Sequence, residues 1–397
     1  MRKPWFALIA SLLPTFFMHP MAGAHAITIK PDEKQTTTAP ADANDLSIAL
    51  EKIRSRQGIP ALAAAVLRDG QVIDITAVGF RAGKKGPRVT PDDRFHLGSC
   101  TKSMTATLCA ILVEQGKLKW DSTIGGVFSS LKDKINPKFH PVTLEQLLCH
   151  RSGLPDDHVP DLILFPQIMS LQGDMQLQRR ELVSIVLSRE PATPPGSAYA
   201  YSNYGFAIAG AMCEAVMAEP YEVLMKKHLF EPLGMSSAGF GAPGSANKID
   251  QPRGHNKLIT WHSPVKPGPG SDNPAVIGPA GTAHASLGDW AKYAALHLDA
   301  LRGKPRLLNK ASFDRLHSDP FKQEYGFGWI QADRVWADGK MFAHDGSNGR
   351  WYAMVILAPK KNTALLVATN AGSEPAVKAC QRTIQKLQAL YLKSSSP

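Results

Sequence analysis

Phe95-His-Leu-Gly-Ser-Cys-Thr-Lys102 leads into a segment whose apolar residues recur at helical spacing. Met104, Leu108 and Leu112 fall on one face of such a helix, and Gly116 is a suitable stop. The stretch therefore predicts a helix that begins close to a serine and a lysine. The rest of the fold is interpreted outward from this helix.

Ser99 and Lys102 are three residues apart, which places both side chains on the same helix face. A hydroxyl becomes a good nucleophile when a nearby base takes its proton, and an amine can do so once its pKa is lowered by burial or by a second cation. At a helix start, free N–H groups and the dipole also favour the negative charge of an acyl-transfer intermediate. Taken alone, the motif is more often a solvated helix start with a capping serine.

The composition is that of an ordinary globular protein, with 397 residues, 44% hydrophobic and 20% charged. The net charge is +11, of which Arg2 and Lys3 supply two charges, so the remainder of the chain is basic enough to favour anionic surroundings or carboxylate substrates. Basic residues never run longer than two and are not interleaved with aromatic residues, so no nucleic-acid partner is expected.

The cysteines form no C-x-x-C pair, which argues against a zinc ribbon or a thioredoxin-type site. Their number is odd, so at least one thiol is unpaired in a monomer. A chain this long can build a sufficient core without essential disulfides. The five are Cys100, Cys109, Cys149, Cys213 and Cys380.

The first 26 residues have the pattern of a secretory signal peptide. Arg2 and Lys3 precede a short apolar run from Trp5 to Leu13, and Ala24-His-Ala26 is a small-x-small cleavage site. Residues 27–45 form a flexible lead-in. We expect a periplasmic or secreted protein with no stable membrane span after cleavage, because the apolar run is too short for one. An uncleaved tether is the alternative.

Apolar runs around turn signals predict strands at both ends of the chain, and capping and periodicity predict helices between them. The economical architecture is an α/β fold of the α+β type, with one antiparallel sheet built from both chain ends, flanked by helices, and an inserted helical subdomain. The domain spans 46–397, with a sheet part over 46–100 and 318–397 and a helical part over 101–317.

The predicted hairpins are Ala61–Leu67 with Gln71–Phe80, Phe327–Val335 with Met341–His344, and Arg350–Ala358 with Thr363–Asn370. The predicted helices include Asp45–Arg56, one after Thr143, Phe206–Val216, one capped by Ser286, and Glu374–Leu392, while His255–Gly281 is predicted as a long surface loop.

Tyr201 and Asn203 lie one residue apart in a loop-like segment and can point the same way. A phenol beside an ammonium has its pKa lowered and can move protons. An asparagine amide can bond both a substrate amide and the lysine. The alternative is a turn with a buried tyrosine and a turn-forming asparagine.

His344-Asp-Gly-Ser347 begins another strand-like run. Gly346 permits close approach of a ligand to the backbone, and the N–H of Ser347 can then donate to it. A hairpin loop in which His344 has no role in the chemistry is the alternative.

Ser-x-x-Lys, Tyr-x-Asn and a basic residue-x-Gly, in this order, make the chain resemble the serine β-lactamase and penicillin-binding-protein superfamily. Within it the chain looks most like the class C β-lactamase-related esterases, D-amino-acid peptidases and β-lactamases. The resemblance extends from Ile48 to Tyr391. It includes Leu147-Leu-Cys-His-Arg-Ser-Gly-Leu-Pro155, Tyr201 to Gly210, Leu229-Phe-Glu-Pro-Leu-Gly-Met235 and Tyr325-Gly-Phe-Gly-Trp329.

The resemblance implies a β-lactamase-like fold and a role for each motif. Ser99 would attack the carbonyl and form an acyl-enzyme, while Lys102 and Tyr201 manage the proton. Asn203 would hold the substrate amide. The N–H groups of Ser99 and Ser347 would form the oxyanion hole. Deacylation by water would be assisted by the tyrosine or the lysine.

One departure from the family pattern affects which substrate is expected. The third motif usually begins with a lysine that attracts a carboxylate, whereas this chain has His344, which is mostly neutral near pH 7. The resemblance therefore implies hydrolysis of an ester, an amide or a D-amino-acid peptide bond, with short esters cleaved faster than β-lactams. A class C-like β-lactamase and a D-Ala-D-Ala carboxypeptidase remain alternatives.

Two rivals belong to other classes. A metal hydrolase could use His140, His150, Asp156, Asp157 and His158, although no H-E-x-x-H spacing is present. A penicillin-binding sensor would be acylated without turnover. The resemblance implies no cofactor and no metal, and a small-molecule or peptide substrate such as a cell-wall fragment.

Overall fold

The structure, a computed structural model, describes residues 43–156, 163–259 and 261–392. The predicted signal peptide and almost all of the predicted lead-in lie outside the described residues. Within those ranges, no helix combines the length and the apolar character needed to cross a bilayer. All five cysteines are free, buried thiols.

Strands from both chain ends form the main sheet. The strands are β1 Ala61–Arg68, β2 Gln71–Gly79, β3 Arg94–His96, β4 Gly239–Phe240, β5 His255–Lys257, β6 His262–Pro264, β7 Ala283–Ser286, β8 Tyr325–Gly326, β9 Trp329–Arg334, β10 Gly339–Ser347, β11 Tyr352–Ala358 and β12 Thr363–Thr369. Among the described residues, seven of them pair antiparallel in the order β2-β1-β12-β11-β10-β9-β8. This arrangement confirms the predicted fold class.

Tight turns fix the register of the hairpins. Asp69 and Gly70 both have positive φ, at 51° and 76°, which suits the two-residue turn between β1 and β2. Asp338 and Asn362, with φ of 55° and 47°, end the other two predicted hairpin turns. The sequence signals that predicted these hairpins are thus confirmed.

Helices cover both faces of the sheet. They are α1 Ala43–Gln57, α2 Thr101–Glu114, α3 Ile124–Val127, α4 Leu144–Leu148, α5 Leu164–Met169, α6 Met175–Leu187, α7 Asn203–Met217, α8 Tyr221–Met225, α9 Gly278–Gly281, α10 Leu287–Leu301, α11 Lys310–Leu316 and α12 Glu374–Tyr391. Helices α1 and α12 pack on one face, whereas α2 and α10 pack on the other. Every residue of β11 and β12 is buried as a result, which is why these strands are apolar without alternation.

The region predicted as the helical part carries most of the helices, and it also contains short strands. Strands β4 and β7 of this region form a second sheet with β3, which lies in the predicted sheet part, and β5 pairs with β6. The division into a sheet part and a helical part stays a prediction.

The segment His255–Gly281 is more ordered than the predicted surface loop. It contains the β5–β6 hairpin and ends in the buried turn α9. Two histidines hold it to the end of the main sheet: His255 Nδ1 lies 2.7 Å from Asn370 O, and His262 Nε2 lies 2.9 Å from Ser373 Oγ. Such distant partners leave no trace in a local pattern of prolines and glycines.

Candidate active site

A short 3-10 turn, Gly98–Cys100, leads directly into α2. Gly98 has a φ of 51°, which glycine adopts without strain, and Thr101 Oγ1 donates to its carbonyl at 2.7 Å. Ser99 therefore sits just before the α-helix and Lys102 in its first turn. Because α2 is buried among other helices, the Lys102 side chain is fully enclosed.

The hydroxyl of Ser99 is the centre of the polar cluster. Its Oγ lies 3.0 Å from Lys102 Nζ and 2.8 Å from the hydroxyl of Tyr201. Lys102 Nζ also donates to Asn203 Oδ1 at 2.7 Å and to Ala280 O at 2.8 Å. Four of the predicted site residues therefore share one hydrogen-bonded group.

The side chain of His150 packs against Tyr201 and bonds the segment that carries it. Its Nδ1 accepts from Ser202 N at 3.0 Å, its Nε2 lies 3.2 Å from the hydroxyl of Tyr325, and its ring lies against Tyr201 with centroids 4.5 Å apart. The side chain that holds this loop therefore comes from a turn some fifty residues earlier. Sequence reasoning placed His150 in a structural turn and missed this contact, although the Cys149-His-Arg-Ser-Gly153 signature was the available signal.

Strand β10 ends against the turn that carries Ser99. A Cβ added to Gly346 would lie 2.2 Å from Leu97 O and 2.3 Å from Ser99 N, and one added to Gly98 would lie 2.4 Å from Ser347 N. The backbone nitrogens of Ser99 and Ser347 thus lie at one junction, where two N–H donors can face the same acceptor.

Gly346→Ala is expected to lower kcat by about 100-fold or more, because its Cβ must push the strand away from Ser99 N and misalign the donors. Steady-state hydrolysis of a chromogenic ester measures the loss. Gly288→Ala is the matched control, since its nearest neighbour is a side-chain oxygen at 4.0 Å. A wild-type kcat in Gly346→Ala would show that the junction between β10 and the Ser99 turn tolerates a side chain at this position.

His344 is placed close to the site as a neutral group. It is 1% exposed, and its Nδ1 lies 2.5 Å from Asp345 O. Burial, reinforced by the nearby Lys102, lowers the pKa of His344 to about 3. The imidazole therefore carries no positive charge near neutral pH, and this position offers no fixed cation to a substrate carboxylate.

Ala280 and Asn273 were not anticipated from the sequence. The carbonyl of Ala280, in α9, accepts from Lys102, and Asn273 Nδ2 donates to the next carbonyl, Gly281 O, at 2.9 Å. Both belong to the segment predicted as a loop. A backbone acceptor carries no side-chain signature, so a motif search had nothing to find.

The residues named for a metal site are dispersed in other roles. His140 Nε2 lies 3.2 Å from Ile135 O, and His150 belongs to the aromatic cluster behind Tyr201. Asp157 and His158 lie outside the described residues. Within the described ranges, no group of three or more candidate ligands is close enough to hold a metal ion.

Comparison with known proteins places this chain in a family. The family model described as Beta-lactamase matches residues 42–389. Penicillin-binding protein 4 of Amycolatopsis lactamdurans is 26% identical over 334 residues, which is 81% of this chain and 84% of that protein. Unguisins hydrolase ungD' of Aspergillus campestris is 25% identical over 351 residues, 82% of this chain and 61% of its own length. The chain thus spans less than two thirds of that second relative.

A solved structure has the same fold. The D-amino acid amidase of Ochrobactrum anthropi SV3, determined with L-phenylalanine amide, superposes with a TM-score of 0.68 at 20% identity. The match covers 88% of this chain and 97% of that one. At this identity the likeness establishes the fold.

Proposed function

Because this chain belongs to the Beta-lactamase family and is a serine hydrolase within the serine β-lactamase and penicillin-binding-protein superfamily, we propose that it cleaves an ester, amide or D-amino-acid peptide bond through an acyl-enzyme on Ser99. One observation carries the proposal: Ser99 Oγ lies within hydrogen-bond distance of both Lys102 Nζ and the Tyr201 hydroxyl. A nucleophile flanked by two proton carriers is the arrangement that acyl transfer requires.

In the first half-reaction, Ser99 Oγ attacks the substrate carbonyl and its proton passes to the neutral amine of Lys102 or to a Tyr201 phenolate. The negative charge that develops on the carbonyl oxygen is stabilised by the N–H groups of Ser99 and Ser347. The carbonyl then re-forms, the bond to the leaving alcohol or amine breaks, and the leaving group takes the stored proton.

In the second half-reaction, a water molecule attacks the acyl carbon. The same proton carriers remove its proton and return one to Ser99 Oγ, so the enzyme regains its starting state. Asn203 has a double role in this proposal. Its Oδ1 orients Lys102 Nζ at 2.7 Å, and its amide nitrogen would donate to a substrate carbonyl.

The neutral state of His344 supports a preference among substrates. A β-lactam antibiotic or a peptide ending in D-alanine has a carboxylate beside the scissile bond, and a fixed cation strengthens its binding. His344 supplies no such charge because burial keeps it neutral. We therefore propose that neutral short-chain esters and D-amino-acid amides are better substrates than β-lactams.

A substrate panel on one preparation tests this preference. We expect kcat/KM for a chromogenic short-chain ester to exceed that for a chromogenic cephalosporin by about 10-fold or more, the scale of one lost charge-assisted contact. Two esters that differ only in a terminal carboxylate serve as the matched pair, and the charged ester should show no advantage. A cephalosporin rate far above the ester rate would instead favour a class C-like β-lactamase or a D-Ala-D-Ala carboxypeptidase.

The sensor alternative makes a different kinetic prediction in the same assay. An acylated sensor releases one equivalent of leaving group and then stops, whereas a hydrolase continues to a steady state. Export to the periplasm or outside the cell also stays a proposal, supported by the first 26 residues, as does a cell-wall origin of the substrate.

A further inference from the structure

Asp272 lies where three parts of the candidate site meet. The carboxylate is almost fully buried, with 8% of its side chain exposed. One oxygen, Oδ1, lies 2.8 Å from His96 Nε2 and accepts from Asn348 Nδ2 at 2.8 Å and from Asn273 N at 2.6 Å. None of these groups belongs to the Ser-x-x-Lys, Tyr-x-Asn or His-x-Gly motifs, and two of them, His96 and Asn348, lie within three residues of such a motif.

The first connection runs to the nucleophile turn. Gly98 N donates to His96 Nδ1 at 3.1 Å, so that ring nitrogen must be unprotonated and the neutral ring carries its proton on Nε2. Nε2 faces Asp272 at ion-pair distance, although the N–H direction departs from that of a regular hydrogen bond. The Asp272 carboxylate beside Nε2 favours the tautomer with the proton on Nε2. In that tautomer, Nδ1 can accept the hydrogen bond from Gly98 N.

The second connection runs to the other oxyanion donor. Asn348 follows Ser347 directly, and its Nδ2 is held by Asp272 while its Oδ1 accepts from Arg350 N at 3.1 Å. Ser347 Oγ accepts from Gly349 N and donates to Trp351 O, which closes the same turn. The position of the Ser347 N–H therefore depends on a turn that the carboxylate holds.

The third connection runs towards the lysine. Asn273, whose backbone N–H is bound by the carboxylate, donates from Nδ2 to Gly281 O. Gly281 follows Ala280, whose carbonyl accepts from Lys102 Nζ. One buried charge thus contacts the supports of the nucleophile, of the oxyanion donors and of the lysine.

We propose that Asp272 is a positioning residue: its carboxylate, acting through His96 and Asn348, fixes the two backbone turns that carry the oxyanion donors. The proposal rests on the acyl-enzyme function proposed above. The carboxylate itself does not touch the reacting atoms. It keeps two N–H groups from separate parts of the chain aligned on one acceptor. Because these donors are already in place, they need no reorganisation during the reaction.

Asp272 also lines a cavity of about 590 Å³, together with apolar residues such as Met175, Phe240 and Val276. A direct role in substrate binding is therefore the rival explanation. The two roles differ kinetically, because loss of a binding contact raises KM, whereas misaligned oxyanion donors lower kcat at nearly constant KM.

The test compares Asp272→Asn with the wild type on an oxygen ester and on its thionoester. Sulfur fits an oxyanion hole poorly, so a well-aligned site strongly prefers the oxygen ester. We expect kcat for the oxygen ester to fall about 10- to 100-fold, KM to change by less than about twofold, and the oxygen-to-sulfur rate ratio to shrink. Asp289→Asn, which alters another buried carboxylate bonded to Ser237 and Lys292, should leave all three unchanged.

His96 supplies a second pair of variants. Asparagine can present an oxygen near the place of Nδ1, so His96→Asn should retain much of the rate that His96→Leu loses. An unchanged kcat and ratio in Asp272→Asn, or a raised KM with unchanged kcat, would overturn the proposal.

Nitrogen NMR of selectively labelled histidines provides a readout that needs no turnover. The proposal requires His96 in the wild-type protein to carry its proton on Nε2, and a proton on Nδ1 would refute it. If the wild type neither hydrolyses esters nor reacts at Ser99, the proposed function fails, whereas the tautomer measurement still tests whether His96 Nδ1 accepts from Gly98 N as this proposal requires.

Discussion

Ser99→Ala is expected to lower kcat for ester hydrolysis by about 10⁴-fold or more, since it removes the atom that would carry the acyl group. The Oγ lies within hydrogen-bond distance of both Lys102 Nζ and the Tyr201 hydroxyl. Intact-mass analysis after treatment with a fluorophosphonate should show one adduct on the wild type and none on the variant.

Ser103→Ala is the matched control for the nucleophile. Its hydroxyl is buried on α2 and donates to Cys100 O at 3.0 Å. The control should retain the adduct and most of the turnover. Labelling that persists in Ser99→Ala would place the nucleophile elsewhere and would remove the basis of the acyl-enzyme mechanism.

The second large effect is expected for Lys102→Met, which keeps the approximate length of the side chain and removes its amine. We expect kcat to fall by about 10³-fold, within the range for a lost general base. The acceptors Asn203 Oδ1 and Ala280 O would also lose their donor, at a cost of about 1–3 kcal/mol for each buried group left unpaired. Single-turnover ester cleavage measures the acylation step, and thermal unfolding measures the stability.

Lys292→Met provides the comparison, because that ammonium is half exposed and bonds Asp289 and Gly234 outside the site. Acylation at the wild-type rate in Lys102→Met would show that Tyr201 alone accepts the proton of Ser99. A lost rate with unchanged melting would show that the effect is chemical and not a consequence of misfolding.

Local sequence was sufficient for the elements on which the site is built. Asp69-Gly70 and Lys360-Lys-Asn362 predicted turns because their backbone preferences act within a few residues. The apolar period after Ser99 predicted α2, and the three-residue spacing to Lys102 predicted a shared face. The signals of these confirmed elements each lie within a single turn or a single helix.

The parts that the sequence did not reveal are contacts between distant segments. His150 and Ala280 each bond a motif residue from another loop or helix, and Asn273 bonds Gly281, the residue after Ala280. The prolines and glycines of His255–Gly281 indicated an irregular segment, but its order comes from its attachment to the sheet end at Asn370. No periodicity encodes a partner that is a hundred residues away.

The sequence by itself determined the fold class, the strands at both ends of the chain and the order of the three motifs, because short-range turn, capping and periodicity preferences fix these features. Only the tertiary structure decided that Tyr201 comes within 2.8 Å of Ser99, that His344 is buried and neutral, and that Asp272 lies between the turns that hold Ser99 and Ser347. The physical reason is that proximity, burial and the resulting pKa depend on how the sheet and its helices pack together, and no single segment contains that information.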